Sequence, residues 1–170
     1  MRGIAILLTV SLAGCATYQV GAGSLYAPDV ATVYVPMIES DSYRRDLGER
    51  LTEAIAKEIE LKTPYKVVGT PDADSILYVR LTGDRRQTLV ENAYDEPRLS
   101  ETTIFSEVNW LNRRRQPLVA AQTIALPPDL VHISQTGNLI PEVGQSVALT
   151  QQKAIEALAQ QIVGTMEAPW

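Results

Sequence analysis

Few side chains in this chain of 170 residues could make or break a bond. Its one cysteine, Cys15, offers a thiol near the N-terminus that can be alkylated but can form no disulfide within the chain. Its one histidine, His132, has Ser134 two residues on, and neither stands at the spacing of a metal cage or of a nucleophile with its base. Asp72 and Asp74 flank a turn, Gly69-Thr70-Pro71-Asp72, where Asx hydrogen bonds account for both carboxylates. Gly21-Ala22-Gly23 has no strand before it and no helix after it, so it is not a phosphate loop. The remaining candidates are cationic: Arg113-Arg114-Arg115 and Arg85-Arg86, whose guanidinium forks match the oxygens of phosphate and carboxylate. The chemistry expected is covalent attachment at Cys15 and ion pairing at the arginines, with no catalytic set, metal or cofactor.

The elements around Cys15 are those of an exported chain. Met1-Arg2 supplies a positive charge, and residues 3–12 form an apolar run of export-signal length, too short to cross a bilayer as a helix. The run ends in Leu12-Ala13-Gly14-Cys15, which resembles the lipobox of bacterial lipoproteins. That resemblance implies a signal peptide of residues 1–14, a thioether between Cys15 and diacylglycerol, and a fatty acyl group such as palmitate on the freed amine. Chains of this kind, at ~0.8 kcal/mol per buried methylene, hold a protein at a membrane almost permanently when two or three act together. Ala16 stands where inner-membrane lipoproteins of enteric bacteria carry aspartate, so the implied address is the periplasmic face of the outer membrane.

Loss of residues 1–14 leaves 156 of the 170 residues, enough for one domain with its own core. Without Arg2 the balance is 14 basic against 20 acidic side chains, a formal −6 once the terminus is acylated. Such a surface excludes coating a polyanion such as nucleic acid, so contact with phosphate must come from local clusters. Residues 15–29, rich in Gly, Ala, Tyr and Ser, read as a lipidated tether, and residues 30–168 as a single domain. About 15 extended residues reach on the order of 50 Å, which suits a partner in the same membrane better than one deep in the cell wall.

Residues 31–37 alternate with period two and predict a strand that ends near Pro36. Asp41 or Ser42 is positioned to cap a helix whose apolar stripe is Leu47, Leu51, Ala54, Ile55 and Ile59, stopped by Pro64. Short strands are predicted over residues 65–68 and 75–81. Residues 101–111 and 117–126 predict a hairpin around the polar tip 112–116, and residues 126–144 a loop. A last helix starts near Ser146, with Val147, Ala154, Ile155, Leu158, Ile162 and Met166 along one face. The order predicts an α+β two-layer sandwich, two helices packed on one face of a mixed 4–5 stranded sheet, with the first strand in a parallel pair across the first helix.

Several segments in order carry a family resemblance: Tyr18-Gln19-Val20-Gly21, Val33-Tyr34-Val35-Pro36-Met37-Ile38-Glu39, Leu47-Gly48-Glu49-Arg50-Leu51-Thr52-Glu53-Ala54-Ile55, Thr63-Pro64-Tyr65-Lys66-Val67-Val68 and Ala73-Asp74-Ser75-Ile76-Leu77. Over about residues 15–126 the chain resembles the LptE family of LPS-assembly lipoproteins. The resemblance implies a two-helix, four-strand sandwich that sits inside the outer-membrane β-barrel LptD, helps it fold, plugs it and contacts lipopolysaccharide. Residues 82–99 and 127–141 match no pattern of that kind.

On this reading Arg113, Arg114, Arg115, Arg85 and Arg86 are candidate contacts to the barrel or to lipid phosphate, set against the plainer role of charged tips that keep sheet edges soluble. Trp110 is a candidate interface anchor or a cap on the core, and Trp170 a candidate contact at the chain end. The competing functions are a scaffolding lipoprotein that regulates a cell-wall synthase and a small-ligand-binding lipoprotein.

Overall fold

The computed structural model describes residues 25–44, 46–118, 131–140, 144 and 146–167, without the side chains of residues 131 and 132. Cys15 with its leader and most of the tether, residues 119–126 of the predicted hairpin, and Trp170 lie outside the described residues. The elements in order are β1 (Thr32–Tyr34), β2 (Glu39–Ser40), α1 (Leu47–Lys62), β3 (Lys66–Val68), β4 (Ser75–Glu91), β5 (Pro97–Asn112), β6 (Val131–Leu139) and α2 (Val147–Gly164). The strands form one mixed sheet in the order β3-β1-β4-β5-β6, with β2 also paired to β4. Both helices cover one face of it, as the apolar stripes predict, and β1 pairs parallel with β3 across α1.

The first strand ends at Tyr34, just short of Pro36 as predicted, and the sheet resumes in the short β2. With no N–H on Pro36 to give the ladder, the chain bulges between Tyr34, opposite Ile76, and Glu39, opposite Arg80. Ile38 turns its N–H to Thr52 Oγ1 (3.1 Å), tying the bulge to α1. The helix starts later than its predicted caps because those residues are engaged with β4. Asp41 pairs with Arg80 at 3.0 Å, and the Ser42 hydroxyl donates to Asp84. Regular helix begins at Leu47, after Asp46. Leu47, Leu51, Ile55 and Ile59 are then fully buried, as their spacing predicts. Gly48 is required there, since a β-carbon would overlap the Ile38 carbonyl oxygen.

β4 does not stop at Leu81 but runs on to Glu91, and β5 begins at Pro97, so residues 82–99 are the outer half of one long hairpin. No period is readable there because residues 85–91 are exposed on both faces of the ribbon. β6 corrects the predicted loop: Ser100 to Val108 pair antiparallel with Leu139 to Val131. Its inward positions are obscured by Gly137, where α2 approaches so closely that a β-carbon would meet the Thr150 carbonyl at 2.9 Å. The predicted hairpin after β5 does begin, with Pro117 opposite Leu111 and Leu118 N–H bonded to the Trp110 carbonyl. Among the described residues the same edge is next paired at Val131, opposite Val108.

Both described turns that close on β5 share one device. Asn112 Oδ1 accepts from the N–H groups of Arg114 (2.8 Å) and Gln116 (2.9 Å), and Arg115 takes φ 58°. Asn92 Oδ1 likewise accepts from Tyr94 (2.9 Å) and Glu96 (3.0 Å), with Asp95 at φ 59°. The asparagine side chain supplies the acceptors of a turn, and a residue in the left-handed region closes it.

The core lies between the helices and the sheet, from Leu51, Ile55 and Ile59 on α1 through Leu77, Leu81, Ile104 and Val108 to Ile155, Leu158 and Ile162 on α2. Each such side chain contributes roughly 1.5–3 kcal/mol on burial. α2 starts where predicted, and Ser146 caps it, Leu149 N–H bonding Ser146 Oγ at 3.1 Å. Towards the outer half of β5 the inward residues become Ser100, Thr102 and Ser106, buried as are the polar Thr150 and Gln151 of α2. On the open face of the sheet Tyr78 and Phe105 are exposed.

Candidate contact surfaces

The chain enters the fold through an aromatic seat. Tyr26 is buried, its hydroxyl donating to the Lys62 carbonyl at 3.0 Å, and Ala27 N–H donates to the Tyr65 hydroxyl at 2.9 Å. Ring centroids of Tyr26 and Tyr65 are 5.6 Å apart, and those of Tyr65 and Trp110 5.8 Å, so Trp110 belongs to the core. Burial raises both phenols above their ordinary value; Glu167 adds to the effect on Tyr26, and the Ala27 bond opposes it at Tyr65.

Beside this seat Asp74 joins β1 to the start of β4. Its Oδ2 accepts from the Thr32 hydroxyl (2.9 Å), Thr32 N–H (3.0 Å) and Ala31 N–H (3.2 Å). The Thr32 hydroxyl above all, then the two backbone N–H groups, hold the carboxyl below its ordinary value, with Arg113 adding a smaller pull. Asp74 thus serves a strand 42 residues away and not only its own turn. Arg113 completes the joint. Its N–H donates to the Asp74 carbonyl (2.9 Å), its guanidinium to the carbonyls of Ala73 (3.4 Å) and Asp72 (3.1 Å), and Nη2 lies 3.6 Å from the Asp74 carboxylate.

The five candidate arginines therefore do not form one cluster. Arg113 is committed to the β3–β4 turn, while Arg114 and Arg115 are exposed beside it at the pole where the chain enters. Arg85 and Arg86 lie ten or more residues along β4, about 35 Å away. Being successive, they point to opposite faces: Arg86 stands opposite Thr102, which is buried under the helix layer, and Arg85 opposite Thr103. Beyond them Leu89, Val90 and Tyr94 are exposed at the hairpin end, an apolar tip that the sequence signals only as three large residues within a polar, turn-bearing stretch. Ser134 is exposed on β6. Among the described residues no group of three or more His, Cys, Asp or Glu side chains is placed to hold a metal ion, and no helix is long and apolar enough to cross a membrane.

The architecture defines the class: a two-layer α+β sandwich of the kind seen in solved bacterial lipoproteins. Lipoprotein B of Nitrosomonas europaea superposes with TM-score 0.52 at 14% identity, over 86% of this chain and 88% of that one. The PelC dodecamer of Paraburkholderia phytofirmans gives 0.51 at 12% identity, over 87% and 96%. The hypothetical protein CT253 of Chlamydia trachomatis gives 0.50 at 7% identity, over 81% and 98%. These likenesses are of fold. No curated protein matches the chain in sequence. The LptE lipopolysaccharide-assembly family model matches residues 30–166, and the chain belongs to that family.

Proposed function

We propose that this chain is an outer-membrane lipoprotein, anchored through Cys15 on the periplasmic face, and a non-catalytic partner of an LptD-type β-barrel in lipopolysaccharide assembly. The observation that carries the reading is the family match across residues 30–166, which takes in nearly the whole folded domain. The lipobox-like Leu12-Ala13-Gly14-Cys15 supports the anchor, and the short chain from Cys15 to the aromatic seat at Tyr26, about 35 Å when extended, supports a partner in the same membrane. Arg114 and Arg115 at the entry pole are the candidate contacts to barrel carboxylates or lipid phosphates there, and Arg85 and Arg86 those farther along the ribbon.

A mild-detergent pull-down of the tagged, lipidated protein from outer membranes of its native host, followed by mass spectrometry, tests the partnership. Recovery of a large β-barrel in near-equal amount is expected. A cell-wall synthase in its place, or no partner, contradicts the reading. Cys15→Ser is expected to abolish incorporation of radiolabelled palmitate and release the protein from the membrane fraction.

A further inference from the structure

Between Cys15 and the first strand the character of the chain changes at one point. Residues 16–24 read Ala-Thr-Tyr-Gln-Val-Gly-Ala-Gly-Ser, the composition of a solvated spacer. Residues 25–30 lie in no helix or strand, yet Tyr26 and Val30 are each only 7% exposed, and Leu25 and Ala27 pack against the same core. A segment that only links two bodies needs no buried aromatic, because ordering it costs chain entropy that a plain spacer keeps. Tyr26 is instead held at its ring, its hydroxyl and the N–H that follows it. The ring meets Tyr65 edge-on at 76°. The hydroxyl donates to the carbonyl of Lys62, the last residue of α1, where a carbonyl has no partner within the helix. The N–H of Ala27 donates to the Tyr65 hydroxyl. Between the two buried residues Pro28 and Asp29 form an exposed turn, which the Val30 N–H closes on the Ala27 carbonyl at 3.4 Å.

We infer that the segment pinned by Tyr26 and Val30 is a clasp that sets how far the lipid-anchored domain stands from its membrane. The inference rests on the reading of Cys15 as the anchor. Tyr26 stands eleven residues after Cys15, whereas Ala31, whose carbonyl accepts from the Lys66 N–H of β3, stands sixteen after it. A flexible chain has a root-mean-square span of about 18 Å over eleven residues and about 22 Å over sixteen. Fully extended, the same lengths reach roughly 35 Å and roughly 53 Å. The clasp thus removes about a third of the greatest reach. It keeps the entry pole, with the exposed Arg114 and Arg115, near the bilayer surface and holds the domain among partners embedded in the same membrane. Tyr26 and Tyr65 are positioning residues that act through the length of free tether.

Two insertions of five Gly and Ser residues test the clasp while leaving every buried side chain in place. One lies between Gly23 and Ser24, before the clasp; the other lies between Pro28 and Asp29, in the exposed turn within it. Each is made in the full lipidated chain with Thr70→Cys, exposed on the β3–β4 turn, carrying a donor dye. The vesicles are phosphatidylethanolamine and phosphatidylglycerol, with an acceptor dye on a fraction of the headgroups. The first insertion is expected to lower energy transfer, since the span of free tether grows about 1.2-fold. The second is expected to leave transfer at the wild-type value, because Tyr26 stays seated and the added residues loop out. Tyr26→Ala combined with the second insertion is expected to lower transfer, a loss that damage to stability alone does not produce. A chain that stays on the vesicles and responds equally to both insertions overturns the clasp, and so does the combined variant if its transfer matches the wild type. A chain that leaves the vesicles as readily as its Cys15→Ser variant overturns the anchor reading, and the clasp with it.

Discussion

Asp74 shows how one carboxylate can join distant parts of the chain. It satisfies two backbone N–H groups and a hydroxyl on β1 while Arg113 closes over its turn from the end of β5. Removing it leaves those donors to water or to nothing, so Asp74→Ala is expected to destabilise the domain by about 2 kcal/mol, measured by urea unfolding. Its carboxyl is held below the ordinary aspartate value of 3.8, so the stability it contributes is complete above that pH and is lost as pH falls further. Asp74→Asn is expected to flatten that acid limb while leaving the neutral-to-alkaline limb in place. Only part of this was legible in the sequence. The turn at Asp72 and Asp74 was readable from its glycine and proline, whereas the reach to Thr32 depends on a parallel pairing that local spacing does not encode. For the same reason Arg113 reads as one of three equal charges, although the fold uses it structurally and leaves Arg114 and Arg115 exposed.

Elements whose burial is one-sided were the ones legible beforehand. α1 and α2 each bury a single stripe, and the stripes Leu47-Leu51-Ile55-Ile59 and Ala154-Ile155-Leu158-Ile162 are those of the core. The outer hairpin and β6 escaped for different reasons: residues 85–91 bury neither face, while β6 turns a glycine towards α2 where a pattern needs an apolar side chain. Two changes probe these elements. Gly137→Ala is expected to cost several-fold more in stability than Gly83→Ala, because a β-carbon at Gly137 meets the Thr150 backbone while at Gly83 it meets open space. Asn112→Ala removes the Oδ1 that accepts from both N–H groups of its turn and is expected to cost about 1–2 kcal/mol, read from thermal unfolding at neutral pH.

At the scale of the whole molecule the described fold has two unlike ends. One end receives the chain at Tyr26 and carries Arg114 and Arg115; the other carries the apolar tip of Leu89, Val90 and Tyr94. One core joins the helices to the sheet, so Ile155→Ala, a fully buried member of it, is expected to destabilise the domain by about 2–5 kcal/mol in one cooperative transition. Double charge reversal at Arg114 and Arg115 is expected to leave unfolding unchanged and to lower recovery of the barrel in a pull-down. The central claim is that this family member serves lipopolysaccharide assembly at the outer membrane. The most direct measurement is surface lipopolysaccharide in the native host while the chain is depleted. The account predicts that surface lipopolysaccharide falls as the protein disappears and recovers on expression of the wild type but not of Cys15→Ser; unchanged surface lipopolysaccharide after full depletion contradicts it.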